Sequence, residues 1–387
     1  MDRKDFKKNA PGSLQSSPEG FLTFVPAPLP PVLKFTGRLV KLIADAERAL
    51  GELAGVGRLL PNAHLLIRPF LKREAVLSSR IEGTVTRLDQ LLLFEVQQEG
   101  AEDRADVQEV LNYVVALDYG LDRLQNDMPL CLRLLREIHE RLMAGVRGGE
   151  MRPGQFRKCP VIIGRPGQPP AKARFVPPHH AELDPLLRDF ERFLNAPGDL
   201  PLVVQLALAH YQFEAIHPFM DGNGRIGRLL ITLMLCERGC LPQPLLYLSA
   251  YLERHDTRYK DHLLWISQRG AWNQWIEFFA TGVAEQATDA VARARRMLAL
   301  QKTYRDRMQR ASQSSSVLVL VDHLFAAPFI TITGVAKLLG ITHRAATQNV
   351  EKLVKHEILQ ETEPGKKTKR VFFAPEVLKL LNVDEST

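Results

Sequence analysis

The sequence predicts a mostly α-helical protein with one short β-hairpin inside the helical part and a small mixed module at its end. Three observations point there. Between Leu33 and about Gln309, apolar residues recur at helical spacing in ten successive segments. One interior stretch, 157–176, breaks that pattern: Val161-Ile162-Ile163 and Phe175-Val176 flank a Gly/Pro-rich turn. Beyond a polar break at 312–316, two helical runs give way to short β-prone runs around a lysine-rich turn.

The elements follow in order. Residues 1–32, with Pro26, Pro28, Pro30 and Pro31, read as a mobile or extended arm. Helices are expected at Leu39–Leu59, Leu66–Glu82, Leu88–Gln98, Asp106–Asp122, Pro129–Met143, Ala181–Leu194, Val203–His217 and Gly224–Arg238. Two more are expected at Asp256–Arg269 and Trp272–Tyr304, the last punctuated at Gly282. In the second, Leu66, Phe70, Leu77 and Ile81 form one apolar stripe and Gly83 reads as a C-cap. Trp265, Trp272 and Trp275 read as core rather than as a stacking site.

Composition narrows the class. An apolar share of 45% in 387 residues supplies two real cores. Cys131, Cys159, Cys236 and Cys240 show no framework or metal spacing, so they read as reduced thiols of a cytoplasmic protein. Residues 1–10 are charged and carry no signal-type apolar run, and no apolar run is long enough for a membrane span. The net charge of +7 permits contact with nucleotides or nucleic acid without requiring it.

The chemistry concentrates in His217-Pro218-Phe219-Met220-Asp221-Gly222-Asn223-Gly224-Arg225-Ile226-Gly227-Arg228. His217 is a base that titrates near neutrality, and Asp221 is a hard oxygen ligand for a divalent cation. Gly222, Asn223 and Gly224 form a turn whose N–H groups face outward at the start of a helix, where free donors and the dipole attract phosphate. Arg225 and Arg228 lie three apart, on one face of that helix's first turn. A hydrolytic metal site built on His210, His217 and Asp221 would leave both arginines unexplained, so His210 reads as a structural histidine. Ser78 and Glu82, four apart, project from one face at the end of the second helix.

The twelve-residue stretch resembles the signature of the Fic (filamentation induced by cAMP) family, His-x-Phe-x-Asp/Glu-Gly-Asn-Gly-Arg-x-x-Arg, matched at every fixed position. That resemblance implies transfer of AMP from ATP to a protein hydroxyl, with His217 as the base and Asp221 holding Mg²⁺. It gives phosphate oxygens to Gly222, Asn223, Gly224, Arg225 and Arg228, and makes Phe219 the anchor of the loop. Ser78-Ser79-Arg80-Ile81-Glu82-Gly83 resembles the inhibitory motif of Fic proteins whose inhibitor precedes the core. In that class Glu82 would pair with Arg228, silencing transfer and in some relatives supporting removal of AMP. Val161, Ile162, Ile163 and Gly164 resemble the flap that docks a target chain by strand addition. The likeness runs from about Ser79 to Phe279, including Asn112-Tyr113 and Leu246-Tyr247-Leu248-Ser249. It departs where many relatives carry adjacent tyrosines and this chain has Tyr259-Lys260, so Tyr247 and Tyr251 become candidate nucleoside contacts. Self-modification and a homodimer are further implications of the resemblance.

The C-terminal module resembles a winged helix-turn-helix. Helices are expected at Val317–Phe325, Thr333–Leu339 and Thr342–His356, with strands at Leu359–Thr362 and Arg370–Phe373. His343 and the candidate base contacts Thr342, Arg344, Thr347 and Gln348 open the last helix, while Lys366 and Lys367 would meet phosphate. Such modules also serve in dimerisation, and Glu351, Glu357, Glu361 and Glu363 dilute the basic face. The resulting expectation has three parts: an arm at 1–32, a Fic domain at 33–310 and a winged helix-turn-helix at 316–387. The inhibitory helix would occupy about 66–83 and the catalytic core about 106–280. The expected function is an autoinhibited protein adenylyltransferase, with a DNA-binding regulator that senses nucleotide as the alternative.

Overall fold

A computed structural model describes residues 1–59, 63–97, 104–146, 152–165, 167–196, 198–311, 314–364 and 369–381. It opens with an antiparallel hairpin, β1 (Gly12–Ser16) and β2 (Leu22–Pro26), registered Gly12 to Pro26 and Ser16 to Leu22. The helical part comprises α1 (Gly37–Leu59), α2 (Ala63–Ile81), α3 (Leu88–Gln97), α4 (Arg104–Gln125), α5 (Leu132–Leu142) and α6 (Leu183–Asn195). It continues through α7 (Leu202–Ile216), α8 (Asn223–Glu237), α9 (Ser249–Arg254), α10 (Asp256–Arg269) and α11 (Trp272–Arg310).

The sequence of α7 explains its place. Val203 through Phe213 are all buried, so the helix has no polar face to give to water and must be surrounded. It sits among α1, α6, α8, α10 and α11. Two of its groups are paired inside that shell. The Trp275 indole donates to the Ala207 carbonyl at 2.9 Å, and both nitrogens of His210 are engaged, as a structural histidine requires. Trp272 and Trp275 are buried, while Trp265 is only partly covered and is capped by Arg269 at 4.6 Å from its ring. At the start of the motif helix, α8 is buried along nearly its whole length, which fixes the turn before it.

Two expectations change here. Helix α11 does not break at Gly282; it runs unbroken for 39 residues, about 58 Å at the α-helical rise. A Cβ at Gly282 would lie 2.5 Å from the Tyr251 ring, so the glycine serves close packing rather than a stop. The anticipated flap hairpin also contracts to one bridge, Ile163 with Phe175, whose N–H···O contacts are 2.9 and 3.2 Å. Pro160, Pro169, Pro170, Pro177 and Pro178 lack the N–H groups that a longer ladder would need.

The C-terminal module contains α12 (Ser315–His323), β3 (Phe329–Thr331), α13 (Ile332–Leu339), α14 (His343–Lys355), β4 (Gln360–Glu361), β5 (Val371–Phe373) and α15 (Pro375–Leu381). Its antiparallel sheet has the order β3-β5-β4, so a strand not anticipated from sequence, β3, lies beside β5. Thr331 and Thr342 cap α13 and α14 by accepting the Gly334 and Ala345 N–H groups, and Gly340 turns between them at φ 63°. The module rests on the far end of α11, where Arg307 donates to the His356 carbonyl at 2.8 Å. Thr342, Arg344 and Gln348 are exposed on α14, whereas the Thr347 hydroxyl is turned back to the His343 carbonyl at 2.9 Å. Lys366 and Lys367 lie outside the described residues. No helix among the described residues is long and apolar enough to cross a membrane.

The N-terminal segment is the clearest correction, because it is a packed hairpin and not a loose arm. Phe24 is completely buried, stacks on Phe6 at 5.5 Å and meets Phe175 at 5.8 Å. Its N–H donates to the Val176 carbonyl at 3.0 Å, tying β2 to the segment just after the Ile163–Phe175 bridge. Phe24→Ala should therefore destabilise the protein by about 3–5 kcal/mol, the usual range for deleting a core phenylalanine. Urea denaturation checks this, and a midpoint matching wild type would mean that the hairpin does not hold.

Candidate active site

His217 ends α7 in the left-handed region, at φ 52° and ψ 61°, yet still donates its N–H to the Phe213 carbonyl at 2.9 Å. A β-carbon is disfavoured there, so the loop must be held from outside. Arg157 does that. Its guanidinium donates to the carbonyls of His217 at 2.8 Å, Pro178 at 2.6 Å and Ile216 at 3.3 Å, and its N–H reaches Pro218 O at 2.9 Å. The His217 Nδ1 faces the Glu214 carbonyl at 3.3 Å; a carbonyl only accepts, so Nδ1 carries the proton and Nε2 keeps its lone pair. Burial, with the Arg157 charge added, lowers His217 to about 4. It is thus a neutral base of fixed tautomer.

The turn after it is clamped by Asn223. The side chain accepts the Phe219 N–H and donates to the Phe219 carbonyl, both at 2.9 Å, while Phe219 is fully buried. Gly222 turns at φ 77° and donates its N–H to Asp221 Oδ1 at 2.7 Å. Helix α8 then begins with Asn223, leaving the N–H groups of its first turn without helical partners.

Arg228 is the cation at the centre of the site and is 2% exposed. Its Nε donates to Ser78 Oγ at 2.8 Å, and its Nη2 donates to Ser78 O at 2.9 Å and to Glu82 Oε1 at 2.8 Å. Ser78 and Glu82 therefore do meet the second arginine from one face of α2 and its C-terminal turn. Burial opposes the charge on both partners, but each charge outweighs it, holding Glu82 below and Arg228 above its ordinary range. Glycine makes the fit possible: a Cβ on Gly224 would stand 2.2 Å from Glu82 Oε1. One turn earlier on the same face of α2, Glu74 is anchored by the Ser249 hydroxyl at 2.5 Å, the Ser249 N–H at 3.2 Å and the Tyr113 hydroxyl at 3.3 Å. Burial raises Glu74 to about 7 despite those bonds.

Arg225 does not join Arg228. Its guanidinium lies 3.4 Å from Glu109 and 3.8 Å from Asp221 Oδ2. A cavity of about 170 Å³ instead collects Glu82, Gly224, Arg228, Glu214 and His217 with Ile163 and Phe175 of the flap. Arg174, Tyr211, Tyr259, Lys260 and Ser267 are among the other residues that line it. Tyr247 and Tyr251, the candidate nucleoside contacts, line none of it; Tyr247 is buried beside Leu245 and Gln286, and Tyr251 packs on Phe278. Of the four candidate docking positions Val161, Ile162, Ile163 and Gly164, Ile163 alone lines the cavity. Asp221 is 52% exposed, and among the described residues no three His, Cys, Asp or Glu side chains gather as a metal site. A lone exposed carboxylate suits a Mg²⁺ ion whose other ligands are phosphate oxygens and water.

Sequence reasoning missed Arg157, Glu214, Glu74 and His139. Glu214 was legible as a carboxyl three residues before the base. Its environment was not: it is buried, Oε1 has no hydrogen-bond partner, and burial raises it to about 8. His139 bridges the Asp221 carbonyl at 3.0 Å and the Gly154 N–H at 2.9 Å, contacts made across 82 and 15 residues.

The comparisons agree with this geometry. Residues 40–122 match the Fic/DOC family N-terminal model, and residues 129–235 match the Fic/DOC family model. The chain is 29% identical over 174 residues to the protein adenylyltransferases Fic of Drosophila ananassae and Drosophila melanogaster, a match covering 44% of this chain. It covers only 31% and 32% of those relatives, so the shared part is about a third of their length. A solved Fic family protein from Desulfovibrio desulfuricans G20 superposes with a TM-score of 0.58 at 22% identity, covering 89% of this chain and 98% of that one. A Fic domain containing signaling protein from Bacteroides thetaiotaomicron VPI-5482 gives 0.51 at 19% identity, covering 67% and 95%. Fold and signature together place a Fic domain, preceded by its Fic/DOC N-terminal region, in residues 40–235.

The state of His217 gives a pH prediction. Because its folded value is about 4, it stays neutral from pH 8 down to about 5. Its ring resonances in an NMR titration should move with a midpoint near 4, well below the ordinary 6.5. A midpoint at 6.5 would mean that the ring is solvated and not held as described.

Proposed function

We propose that this chain is a protein adenylyltransferase that moves AMP from ATP to a Tyr, Thr or Ser hydroxyl of a target protein, and to itself. The observation that carries the reading is one cavity holding a neutral base, a glycine turn at a helix N-terminus and a buried arginine. His217 Nε2 takes the hydroxyl proton as the oxygen attacks the α-phosphorus. The bond to the bridging oxygen of the β-phosphate breaks, and pyrophosphate leaves. With the Gly222 N–H spent on Asp221 Oδ1, the N–H groups of Asn223 and Gly224 hold phosphate oxygens, and Arg228 neutralises the departing phosphates. Bound at Asp221, Mg²⁺ would spread the charge of the triphosphate. Arg225 acts from beneath the turn, where its contact with Asp221 orients that carboxylate.

Autoinhibition belongs to the same proposal. Glu82 occupies the guanidinium that a phosphate would need and sets a negative charge in its place. At 41% exposed, its side chain has room to swing aside once something displaces α2. In the Arg228-paired position it also stands beside the cavity, where it would orient a water for removal of AMP.

Glu82→Gly should raise ³²P-AMP incorporation by about tenfold or more, a barrier change of at least about 1.4 kcal/mol, and His217→Ala should abolish it. Unchanged labelling in Glu82→Gly would remove the inhibitory role, and labelling that survives His217→Ala would remove the base.

The C-terminal module adds a second reading, carried by exposed Arg344 and Gln348 at the start of α14. We infer a winged helix-turn-helix that lays α14 against duplex DNA. Binding should weaken steeply with salt and fall further in Arg344→Ala. No gel retardation at low salt would refute it.

A further inference from the structure

His139, on α5, takes no part in the transfer as set out above, yet both its ring nitrogens are engaged, one by the motif loop and one by the turn at Gly154. Its Nδ1 accepts the Gly154 N–H at 2.9 Å, which forces the proton onto Nε2, and Nε2 donates to the Asp221 carbonyl at 3.0 Å. The ring lies flat on Phe219, centroids 3.8 Å apart and planes 4° from parallel, and is 2% exposed. Phe219 is in turn clamped by Asn223, so the imidazole meets the loop at both its anchor and its turn. The Gly154 carbonyl is fixed from the other side by Arg136 at 2.7 Å. Protonating Nδ1 would set two donors face to face, so only the neutral ring fits.

We propose that His139 is a positioning residue: it fixes the Asp221–Gly222 peptide so that the Asp221 carboxylate is presented to a divalent cation on the nucleotide. The logic is that of an outer-shell partner. Asp221 is exposed, and the Gly222 N–H at 2.7 Å is the backbone donor that orients its carboxylate. That bond holds its direction only while the peptide bearing it is held, and His139 grips that peptide at the Asp221 carbonyl. The strut itself is built on α5 and the 152–154 turn, outside the cavity. The proposal rests on the adenylyltransferase reading, and its test separates the two.

The probe is Mn²⁺ with a non-hydrolysable ATP analogue, with free Mn²⁺ read by EPR, on the full chain carrying Glu82→Gly so that the site is open. His139→Phe keeps the ring stack and loses both hydrogen bonds. It should weaken Mn²⁺ in the ternary complex by about 10–100-fold, the usual cost of losing an outer-shell partner. Affinity for the analogue in EDTA should stay at the parent value, and His139→Gln, which keeps a donor for Asp221, should fall between. Equal losses with and without metal, or none in a folded variant, would overturn the proposal. A parent that binds no Mn²⁺–nucleotide at all would overturn the adenylyltransferase reading first and this one with it. Should the variants not fold, ¹⁵N NMR of the unaltered His139 decides: the Nε2–H tautomer is expected from the two hydrogen bonds, and an Nδ1–H tautomer would refute the strut.

Discussion

A guanidinium buried to 2% exposure cannot stand without a counter-charge, and Arg228 dictates much of what surrounds it. The anion comes from Glu82, and a hydroxyl and a carbonyl of Ser78 satisfy two more of the guanidinium's five donors. Both partners sit at the end of α2, so that helix must end where it does. The Glu74 anchor to Ser249 one turn earlier sets its depth. On the other side, the carboxyls that approach Arg228 need space on α8. The missing side chains of Gly224 and Gly227 supply it: a Cβ on Gly227 would lie 2.4 Å from Glu214 Oε1, much as one on Gly224 would strike Glu82. The glycines of the motif thus serve packing against acids as well as turning.

The same constraint explains why Arg225 and Arg228 part company. Three residues apart, they leave α8 close together, yet one buried anion cannot match two buried cations. Glu109 and Asp221 take Arg225 on one flank, and Glu82 takes Arg228 on the other. Spacing along a helix says which residues share a face, but the partner waiting on each side decides where the charge goes.

What was legible in the sequence was local. The helices from α1 to α11 except the short α9, the turn at Gly222 and the placing of Ser78 and Glu82 on one face all follow from spacing and residue type within a few positions. What was not legible depends on distant partners. Arg157 reads as an ordinary charge before a β-prone run until its guanidinium meets carbonyls about 60 residues away. His139 looks like one more polar position on an amphipathic helix. The prolines near residue 30 suggested a loose arm, but Phe24 and the β1–β2 register outweigh them through contacts with Val176 and Phe175. The flap failed in the opposite sense: its β-prone residues are present, and prolines on both sides leave too few donors for a ladder.

The charge state of the site follows from the single pair at its centre. Beyond the Arg228–Glu82 and Arg225–Glu109 pairs, the other buried histidines and acids of the site have no matching charge and stay neutral. His139, His210 and His217 are each lowered by burial to about 4 from 6.5, while burial raises Glu74 to about 7 and Glu214 to about 8 from 4.5. The two groups act on stability with opposite sign. Between pH 4 and 6.5 the unfolded histidines bind protons that the folded ones refuse, so stability rises with pH. Between pH 4.5 and about 7 to 8 the folded acids hold protons that the unfolded ones have lost, so stability falls with pH. The two contributions overlap only below pH 6.5; above it the acids act alone, and stability near neutrality declines until both have ionised. A phosphate that displaced Glu82 would bring an anion to Arg228 in its place, so the buried guanidinium would keep a counter-charge.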